Sequence, residues 1–203
     1  HEDAVVTLSG DISIELPEGA VSLAVQTSTV TDSAGDQSLQ MDALVVEDPE
    51  AFPAFQTLRN RKTGKPIDMD ENAVVLSEKA AETLGVSVGD AVRVKETAGE
   101  EKQLIVTGIA ENYVGACLWL GSRTEIAGQS ARLLRTGLTT DAERETASEA
   151  LLAQPGVLAV EWTAQTKTAY ERLLKSLDAV VLLIVACAGA LAVIVLYQIT
   201  NVN

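Results

Sequence analysis

A long uncharged apolar run near the C-terminal end constrains this chain more than any other feature. From Ala179 to Tyr197 the sequence reads AVVLLIVACAGALAVIVLY, without a charged side chain. A helix rises about 1.5 Å per residue and the hydrocarbon core of a bilayer is about 30 Å thick, so roughly 20 such residues cross it. The run is apolar on every face, unlike a helix on the surface of a soluble domain. The alternative, a helix buried inside a soluble domain, is disfavoured because the rest of the chain is too short to enclose it. We therefore predict a transmembrane helix at about 179–197.

The segment before this run carries the signals of a helix start. Thr168-Ala169-Tyr170-Glu171 fits a capping box, in which the Thr and Glu side chains bind free backbone amides at a helix N-terminus. Apolar side chains then recur at helical spacing, at Tyr170, Leu173, Leu174 and Leu177. We therefore expect a stalk and transmembrane helix over 168–203, which acts as a stiff rod between a first domain, 1–167, and the bilayer.

Residue types inside and before the run bear on helix contacts and orientation. Ala186, Gly189 and Ala190 are small enough for a second helix to approach closely, so we predict helix packing there. A lone span would not require them, and we expect the chain to be a piece of a membrane protein with further spans. Arg172 and Lys175 precede the run, and the positive-inside rule applied to them alone would place the first domain inside the cell. That rule compares two flanks, so one flank does not assign the orientation.

The first part of the chain alternates strand and helix signals. Strands are predicted at Asp11–Leu16, Val21–Val30 and Leu39–Val46, where apolar and β-branched residues alternate between clusters of turn-forming residues. A helix is predicted at Ala51–Leu58, because apolar side chains recur there at a spacing of three.

Residues 72–121 predict a small β-rich lobe, and 131–163 predict a βαβ-like return. The lobe consists of a strand at Ala73–Leu76, a helix capped by Ser77 and closed by Gly85, a turn at Val86–Asp90, a strand at Ala91–Lys95, a turn at Thr97–Glu101, and strands at Gln103–Ile109 and Ala116–Leu120. The return consists of a strand at Ala131–Leu138, a helix at Thr140–Ala153 with Thr140 and Glu143 as a capping box, and a strand at Gly156–Trp162. The predicted class is α+β, with two interleaved lobes.

Charge and side-chain chemistry exclude several functions. The formal net charge of −14 argues against nucleic acid as a partner, because phosphate binding needs clustered Lys and Arg. The single histidine, His1, leaves no Ser–His or Cys–His arrangement, and no Cys or His group has metal-ligand spacing. No glycine-rich loop ends in Gly-Lys-Ser/Thr. We predict no catalytic residue, cofactor or metal site, and expect Cys117 and Cys187 to be small buried hydrophobes.

Two charged clusters have competing interpretations. The basic cluster Arg59-Asn60-Arg61-Lys62, with Lys65, lies beside Gly64 and Pro66, so a solvated loop is favoured over a binding patch. The acidic segment Asp68–Asn72 could be a calcium loop, but it lacks the glycine and the distal Glu of such a site. A solvated acidic turn is therefore favoured there.

Two stretches resemble the FtsX-like (MacB-type) family of ABC transporter permeases. The first is Asn72–Gly108, which has a strand, a helix with a Lys-Ala-Ala-x-x-Leu-Gly-Val pattern, the turn Val88-Gly89-Asp90 and two strands. The second is the helix exit Val195–Asn203, VLYQITNVN, which resembles the Leu-Tyr-x-Leu-Thr-Asn-x-Asn segment of large permeases through Tyr197, Thr200, Asn201 and Asn203. The Glu-Asp-Pro segment at Asp48 and the Leu-Arg-x-Arg segment at Arg61 agree with it, and the resemblance covers most of Leu39–Asn203.

The resemblance implies more than the residues do. It implies an extracytoplasmic domain of porter and sabre type over residues 1 to about 170, in the cell membrane of a bacterium. It further implies as partners a cytoplasmic ABC ATPase subunit, a second permease copy or half, and the lipid bilayer. In such a permease the ATPase partner hydrolyses ATP, and this chain transmits the conformational change for export, extraction or mechanotransmission.

Two alternatives to the permease remain open. A membrane-anchored binding or sensor domain without transport activity fits the absence of catalytic residues equally well. Small residues in the span and the polar exit Gln198–Asn203 count against it. An anchored extracytoplasmic enzyme is the least favoured, because histidine and metal-ligand sets are missing.

Overall fold

The computed structural model describes residues 2–95, 99, 101–124 and 128–201, and at 165–180 and 200 it describes the backbone alone. Residues His1–Trp162 form one compact unit and Thr163–Asn203 form a second. The first unit carries the strands and two helices, and the second is a single long helix.

Among the described residues there are ten strands and three α-helices. The strands are β1 (Ala4–Leu8), β2 (Val21–Asp32), β3 (Ser38–Val46), β4 (Val74–Ser77), β5 (Ala91–Lys95), β6 (Glu101–Ile105), β7 (Gly108–Ala110), β8 (Cys117–Gly121), β9 (Ala131–Arg135) and β10 (Val157–Trp162). The helices are α1 (Glu78–Leu84), α2 (Asp141–Leu152) and α3 (Thr163–Asn201), with short 3-10 turns at Phe52–Ala54 and Ser122–Thr124.

The strands form one mixed sheet, which confirms the predicted α+β class. The order is β10-β1-β9-β2-β3-β8-β4-β7, and β5 bonds to β2 and β6. The pairs β3–β8 and β4–β7 are parallel, and the other pairs are antiparallel. The sheet is thus continuous through the first unit, although its two ends carry different covering elements.

One end of the sheet has a split βαβ arrangement. Strands β9 and β10 are both antiparallel to β1, so they run parallel with β1 between them, and α2 connects them. Strands β1 and β2 run parallel with β9 between them, but residues 9–20, which connect them, contain no helix. The face of the sheet on which α2 packs is therefore covered by that helix and by the extended segment in residues 9–20.

The other end of the sheet is buried on both faces. All five residues of β8 are buried, with Leu118 and Leu120 in the cluster under α1 and Cys117 and Trp119 in the cluster on the opposite face. Side chains alternate between faces along a strand, so a strand that is covered on both sides reads as a continuous apolar run. A third cluster, built around Trp162, lies between α2 and the strands β1, β9 and β10.

Three helix termini are formed as the capping residues predict. The Ser77 hydroxyl accepts a hydrogen bond from the Ala80 amide at the start of α1, and Gly85 ends that helix with a left-handed backbone at φ 67°. At the start of α2, Thr140 and Glu143 form both hydrogen bonds of a capping box.

The N-terminal strand prediction was wrong. Residues 11–16 pair with no strand, and β1 lies instead at Ala4–Leu8. The alternation within Asp11–Leu16 marks an extended segment whose alternate side chains, Ile12, Ile14 and Leu16, pack against the third cluster. Periodicity predicts which side chains face the core, and it does not show whether a neighbouring strand is available.

The helix predicted at Ala51–Leu58 is also wrong, because only the 3-10 turn Phe52–Ala54 forms. The chain then enters a hairpin in which the carbonyl of Leu58 accepts from the Ile67 amide at 2.9 Å and Arg59 forms a β-bridge with Pro66. Phe52, Phe55 and Leu58 are nevertheless buried. The backbone pairing of the hairpin thus prevails over the helical spacing of these apolar side chains.

The strand predicted at Gln103–Ile109 is split into β6 and β7. Between them the Val106 amide donates to Asp90 and the Thr107 amide donates to Val74, so the chain crosses from β5 to β4 there. β9 ends at Arg135, earlier than predicted, because the Thr136 and Gly137 amides bind the Asp3 carboxylate at 2.8 and 3.1 Å. The predicted turn at Thr97–Glu101 lies largely outside the described residues.

α3 follows β10 in the chain without an intervening loop and begins at Thr163. The capping box predicted at Thr168–Glu171 therefore lies within the helix rather than at its start, and its side chains lie outside the described part of the structure. The domain boundary predicted at 167/168 stays a prediction.

Candidate functional site

The turn Val88-Gly89-Asp90 is held by its own hydrogen bonds and by those to the strand beside it. The Asp90 carboxylate accepts from the Ser87 amide at 2.8 Å, and the Gly89 amide donates to the Val106 carbonyl at 2.8 Å. Gly89 has φ 97°, which a residue with a Cβ rarely adopts. The turn therefore fixes how the chain passes from α1 to β5, and Val88 is its exposed apolar member.

α3 contains a stretch, Val181–Ile199, that is long and apolar enough to cross a membrane, with a mean hydropathy of 2.5. The stretch contains residues 181–197 of the predicted span, and Ala179 and Val180 lie outside the residues whose side chains are described. The side chains of the stretch are exposed in the single chain. Ala186, Gly189 and Ala190 lie within it, and apart from the nearby backbone of α3 itself no described atom lies within 4 Å of a Cβ built on Gly189. Their packing against another helix stays a prediction.

The helix exit is described only in part. Tyr197 and Asn201 are exposed, only the backbone of Thr200 is described, and Asn203 lies outside the described residues. Of the two cysteines, Cys117 is buried as predicted, but Cys187 is exposed on α3, which corrects the prediction. Cys187 shares this exposure with the large apolar side chains around it in the sequence.

Two carboxylates of the predicted acidic turn interact with neighbouring groups of the protein. The Asp70 carboxylate accepts from the Asn72 amide at 2.8 Å, and Glu71 pairs with Arg123 at 2.8 Å. Among the described residues, no group of three or more His, Cys, Asp or Glu side chains could hold a metal ion.

Two surfaces of the first unit were not predicted, and the first is a loop tip formed by Tyr113 and Val114. These side chains are 78% and 96% exposed, more than the other large apolar side chains described in this unit. The loop is braced internally, since the Asn112 side chain accepts from the Val114 amide and donates to the Gly115 carbonyl. Asn112 and Gly115 signal a turn in the sequence, but the apolar pair between them gives no signal of exposure.

A basic hairpin, Arg59–Pro66, lies beside the root of this loop. The Arg59 carbonyl accepts from the Glu111 amide at 3.0 Å, and the Arg59 guanidinium pairs with the Glu111 carboxylate. The hydrogen bond between the Arg59 guanidinium and the Glu111 carboxylate raises the pKa of Arg59 above its ordinary value. The Tyr113 hydroxyl lies 3.5 Å from the other carboxylate oxygen of Glu111. The favoured solvated-loop interpretation fits the exposure of the hairpin.

The second surface is a groove between α2 and the extended segment around Glu15–Pro17, which we call the α2 groove. It has a volume of about 630 Å³. Its lining is mostly apolar, with Glu15 and Glu143 at its rim, and comprises Glu15, Leu16, Pro17, Leu138, Ala142, Glu143, Thr146, Ala147, Ala150, Leu151 and Gln154. Gln154 ties the two walls together, because its side chain bonds to both the amide and the carbonyl of Glu15.

The shape of the groove follows from the fold. An α-helix is about 10 Å wide with its side chains, whereas neighbouring extended segments lie about 5 Å apart. The extended connection between β1 and β2 therefore covers less of the sheet than a second crossover helix would. The Thr140 backbone amide, the Thr140 hydroxyl and the Thr139 amide lower the pKa of Glu143.

No protein-family model matches this sequence, and no curated protein matches it. Among solved structures, the extracellular domain of the ABC-type transporter YknZ from Gram-positive bacteria is similar, with a TM-score of 0.42 and 16% identity over 72% of this chain and 81% of that chain. A domain of a Porphyromonas gingivalis protein named as a permease is similar, with a TM-score of 0.40 and 18% identity over 74% of this chain and 82% of that chain. These TM-scores and identities are too low to establish a shared family.

Proposed function

We propose that this chain is the extracytoplasmic domain and following membrane helix of an FtsX-like ABC transporter permease. The observation that carries the proposal is the unit from Asn72 to Gly108. Its elements occur in the order that the resemblance implies, with β4, the capped helix α1, the Val-Gly-Asp turn, β5 and β6. The membrane-length stretch in α3 and the exit sequence after it are the second support.

In this function the chain does not hydrolyse ATP. A cytoplasmic ATPase subunit hydrolyses ATP, and two permease copies or halves assemble in the cell membrane with residues 1 to about 170 outside the cytoplasm. The role of α3 is mechanical. β10 passes into α3 without a loop, and a continuous helix transmits displacement with little loss because each residue is fixed by backbone hydrogen bonds.

The assignment is tested first by the genes beside this one. We expect an ABC ATPase gene in the same operon and further membrane spans encoded in the full-length protein. We also expect the full-length permease to co-purify with that ATPase. A full-length protein that has one or two spans and no ATPase partner would favour the membrane-anchored binding or sensor domain instead.

The transmission role is tested with the full-length permease and its ATPase in liposomes. Spin labels on Leu158→Cys, an exposed position on β10, report the distance between the outer domains of the two copies. We expect ATP to change that distance. Replacing Lys175-Ser176 by Gly-Gly is expected to abolish the change while ATP hydrolysis continues, because glycine weakens the helix by about 1 kcal/mol per residue.

The matched control replaces Lys175-Ser176 by Ala-Ala, which removes the same side chains and keeps the helix. The ATP-dependent distance change is expected to persist in it. An unchanged response in the Gly-Gly variant would refute the transmission role while leaving the assignment as a permease intact.

A further inference from the structure

The loop tip and the α2 groove have opposite shapes. The tip presents two neighbouring apolar side chains, Tyr113 and Val114, on a loop whose backbone is held by Asn112. The groove has a volume of about 630 Å³, and its lining is mostly apolar. Pockets of about 300–1,000 Å³ accommodate drug-sized ligands, so this groove has room for a tyrosine and a valine side chain.

The two surfaces also have opposite charge. The hairpin beside the tip carries Arg59, Arg61, Lys62 and Lys65, of which Arg59 pairs with Glu111 and Arg61 pairs with Glu78 at 3.4 Å. The groove itself is lined by two carboxylates, Glu15 and Glu143, and among its described lining residues there is no Lys or Arg. Charge complementarity of this kind guides association and disfavours other orientations.

We propose that the loop tip of one copy of this chain docks in the α2 groove of a second copy, with the basic hairpin against the acidic rim. Tyr113 and Val114 are the apolar anchors, and Lys62 and Glu15 are the charge pair that sets the orientation. A two-fold pair of copies makes this contact twice, since each copy offers both surfaces.

The net charge of the chain favours this occupant. At −14 charges, two copies repel each other over most of their surfaces. The positively charged hairpin of one copy attracts the acidic groove rim of a second copy, so the two copies can approach each other there. The inference rests on the proposed pairing of two permease copies and names the surfaces that meet.

The contact is tested by cross-linking in the full chain, reconstituted in liposomes. One tagged copy carries Val114→Cys, and a differently tagged copy carries Ala150→Cys, which is exposed and lines the groove. Both carry Cys187→Ala. Cys117 is kept, because it is buried and burial raises the pKa of its thiol to about 12. On addition of a mild oxidant, which accepts the two electrons of the thiols, we expect a disulfide between the two tagged copies.

The matched control pairs Val114→Cys with Glu145→Cys, which is exposed on the same helix but does not line the groove. We expect loss of the cross-link in this pair. Equal cross-linking of both pairs would overturn the proposal, because it would show collision between copies rather than docking.

Energy transfer between labelled copies in liposomes measures how tightly they associate. Replacing both Tyr113 and Val114 by Ala is expected to weaken association about tenfold, as removal of an apolar interface anchor does. Lys62→Glu and Glu15→Lys are each expected to weaken it, and combining both changes in every copy is expected to restore it. A combined variant as weak as the single ones would overturn the proposed orientation.

The outcomes separate this inference from the function on which it rests. Association that persists in the Tyr113→Ala, Val114→Ala variant would leave the pairing of copies intact and refute the docking surface. Wild-type chains that do not associate at any protein-to-lipid ratio would refute both. Binding of a soluble acidic protein to the hairpin without association of copies would assign the loop tip to a different partner and overturn the proposal.

Discussion

Replacing Gly121 by Ala tests the packing of β8 most directly. A Cβ on this residue would lie 2.2 Å from the Asp70 carbonyl oxygen and 2.6 Å from the Glu71 carbonyl carbon and oxygen. Ordinary contacts of a Cβ begin at 3.4 Å, so the backbone at 70–71 would have to withdraw by about 1 Å. Because backbone atoms rather than the end of a flexible side chain are involved, the neighbour cannot rotate away.

The displaced segment is also hydrogen-bonded to β8 and the turn after it. The Gly121 amide donates to the Ala73 carbonyl at 2.8 Å, and the Arg123 amide donates to the Glu71 carbonyl at 2.8 Å. Overpacking costs about 1–3 kcal/mol and each weakened hydrogen bond about 1 kcal/mol. We therefore expect Gly121→Ala to lower the free energy of unfolding by about 3 kcal/mol.

A loss of this size is measurable by thermal unfolding of the full chain in detergent. At about 2–4 °C per kcal/mol for a unit of this size, Tm should fall by about 6–12 °C. Emission from Trp119 and Trp162, each 2% exposed, reports the transition. The control is Gly10→Ala, where a Cβ meets no atom within 4 Å, and its Tm should stay unchanged or rise slightly. A Gly121→Ala protein with the Tm of the wild type would refute the packing argument.

Three further predictions concern single groups in the first unit. Ser77→Ala should destabilise the protein by about 1–3 kcal/mol, measured by denaturant unfolding, because the buried hydroxyl accepts from the amides of both Ala80 and Cys117; unchanged stability would contradict this. The Thr140 backbone amide is the main cause of the lowered pKa of Glu143. The stability that this carboxylate contributes is therefore present above its ordinary pKa and is lost as pH falls through the lowered value. Glu143→Gln should therefore flatten the loss of stability below pH 4, and an identical pH profile would count against the capping interaction. The thiol of Cys117 should react with a maleimide at pH 8 only after unfolding in a Cys187→Ala background, because burial raises its pKa to about 12; rapid labelling of the folded protein would disprove this.

Local signals in the sequence predicted the elements that local interactions control. Ser77 and Gly85 at the ends of α1, and Thr140 with Glu143 at the start of α2, bind backbone groups within one turn. Such interactions do not depend on the rest of the fold, so the sequence alone is sufficient to place them.

Elements that depend on backbone pairing with another segment were predicted less well. Asp11–Leu16 and Ala51–Leu58 have the periodicity of a strand and a helix, but the first has no strand beside it and the second leads into a hairpin with Pro66. The long strand predicted at Gln103–Ile109 divides because its amides bind two different neighbours, Asp90 and Val74. Local spacing carries no information about which backbone groups a distant segment will occupy.

For the candidate surfaces, too, some features follow from the sequence and others follow only from the tertiary structure. The sequence by itself determined the apolar stretch that is long enough to span a membrane and the capped elements of the Asn72–Gly108 unit, because composition and short-range spacing are sufficient for both. Only the tertiary structure decided that Tyr113 and Val114 are exposed and lie beside the basic hairpin. It likewise placed the extended segment at Glu15 beside α2 to form an acidic-rimmed groove. Both surfaces join residues that are far apart in the chain, and only folding brings such residues together.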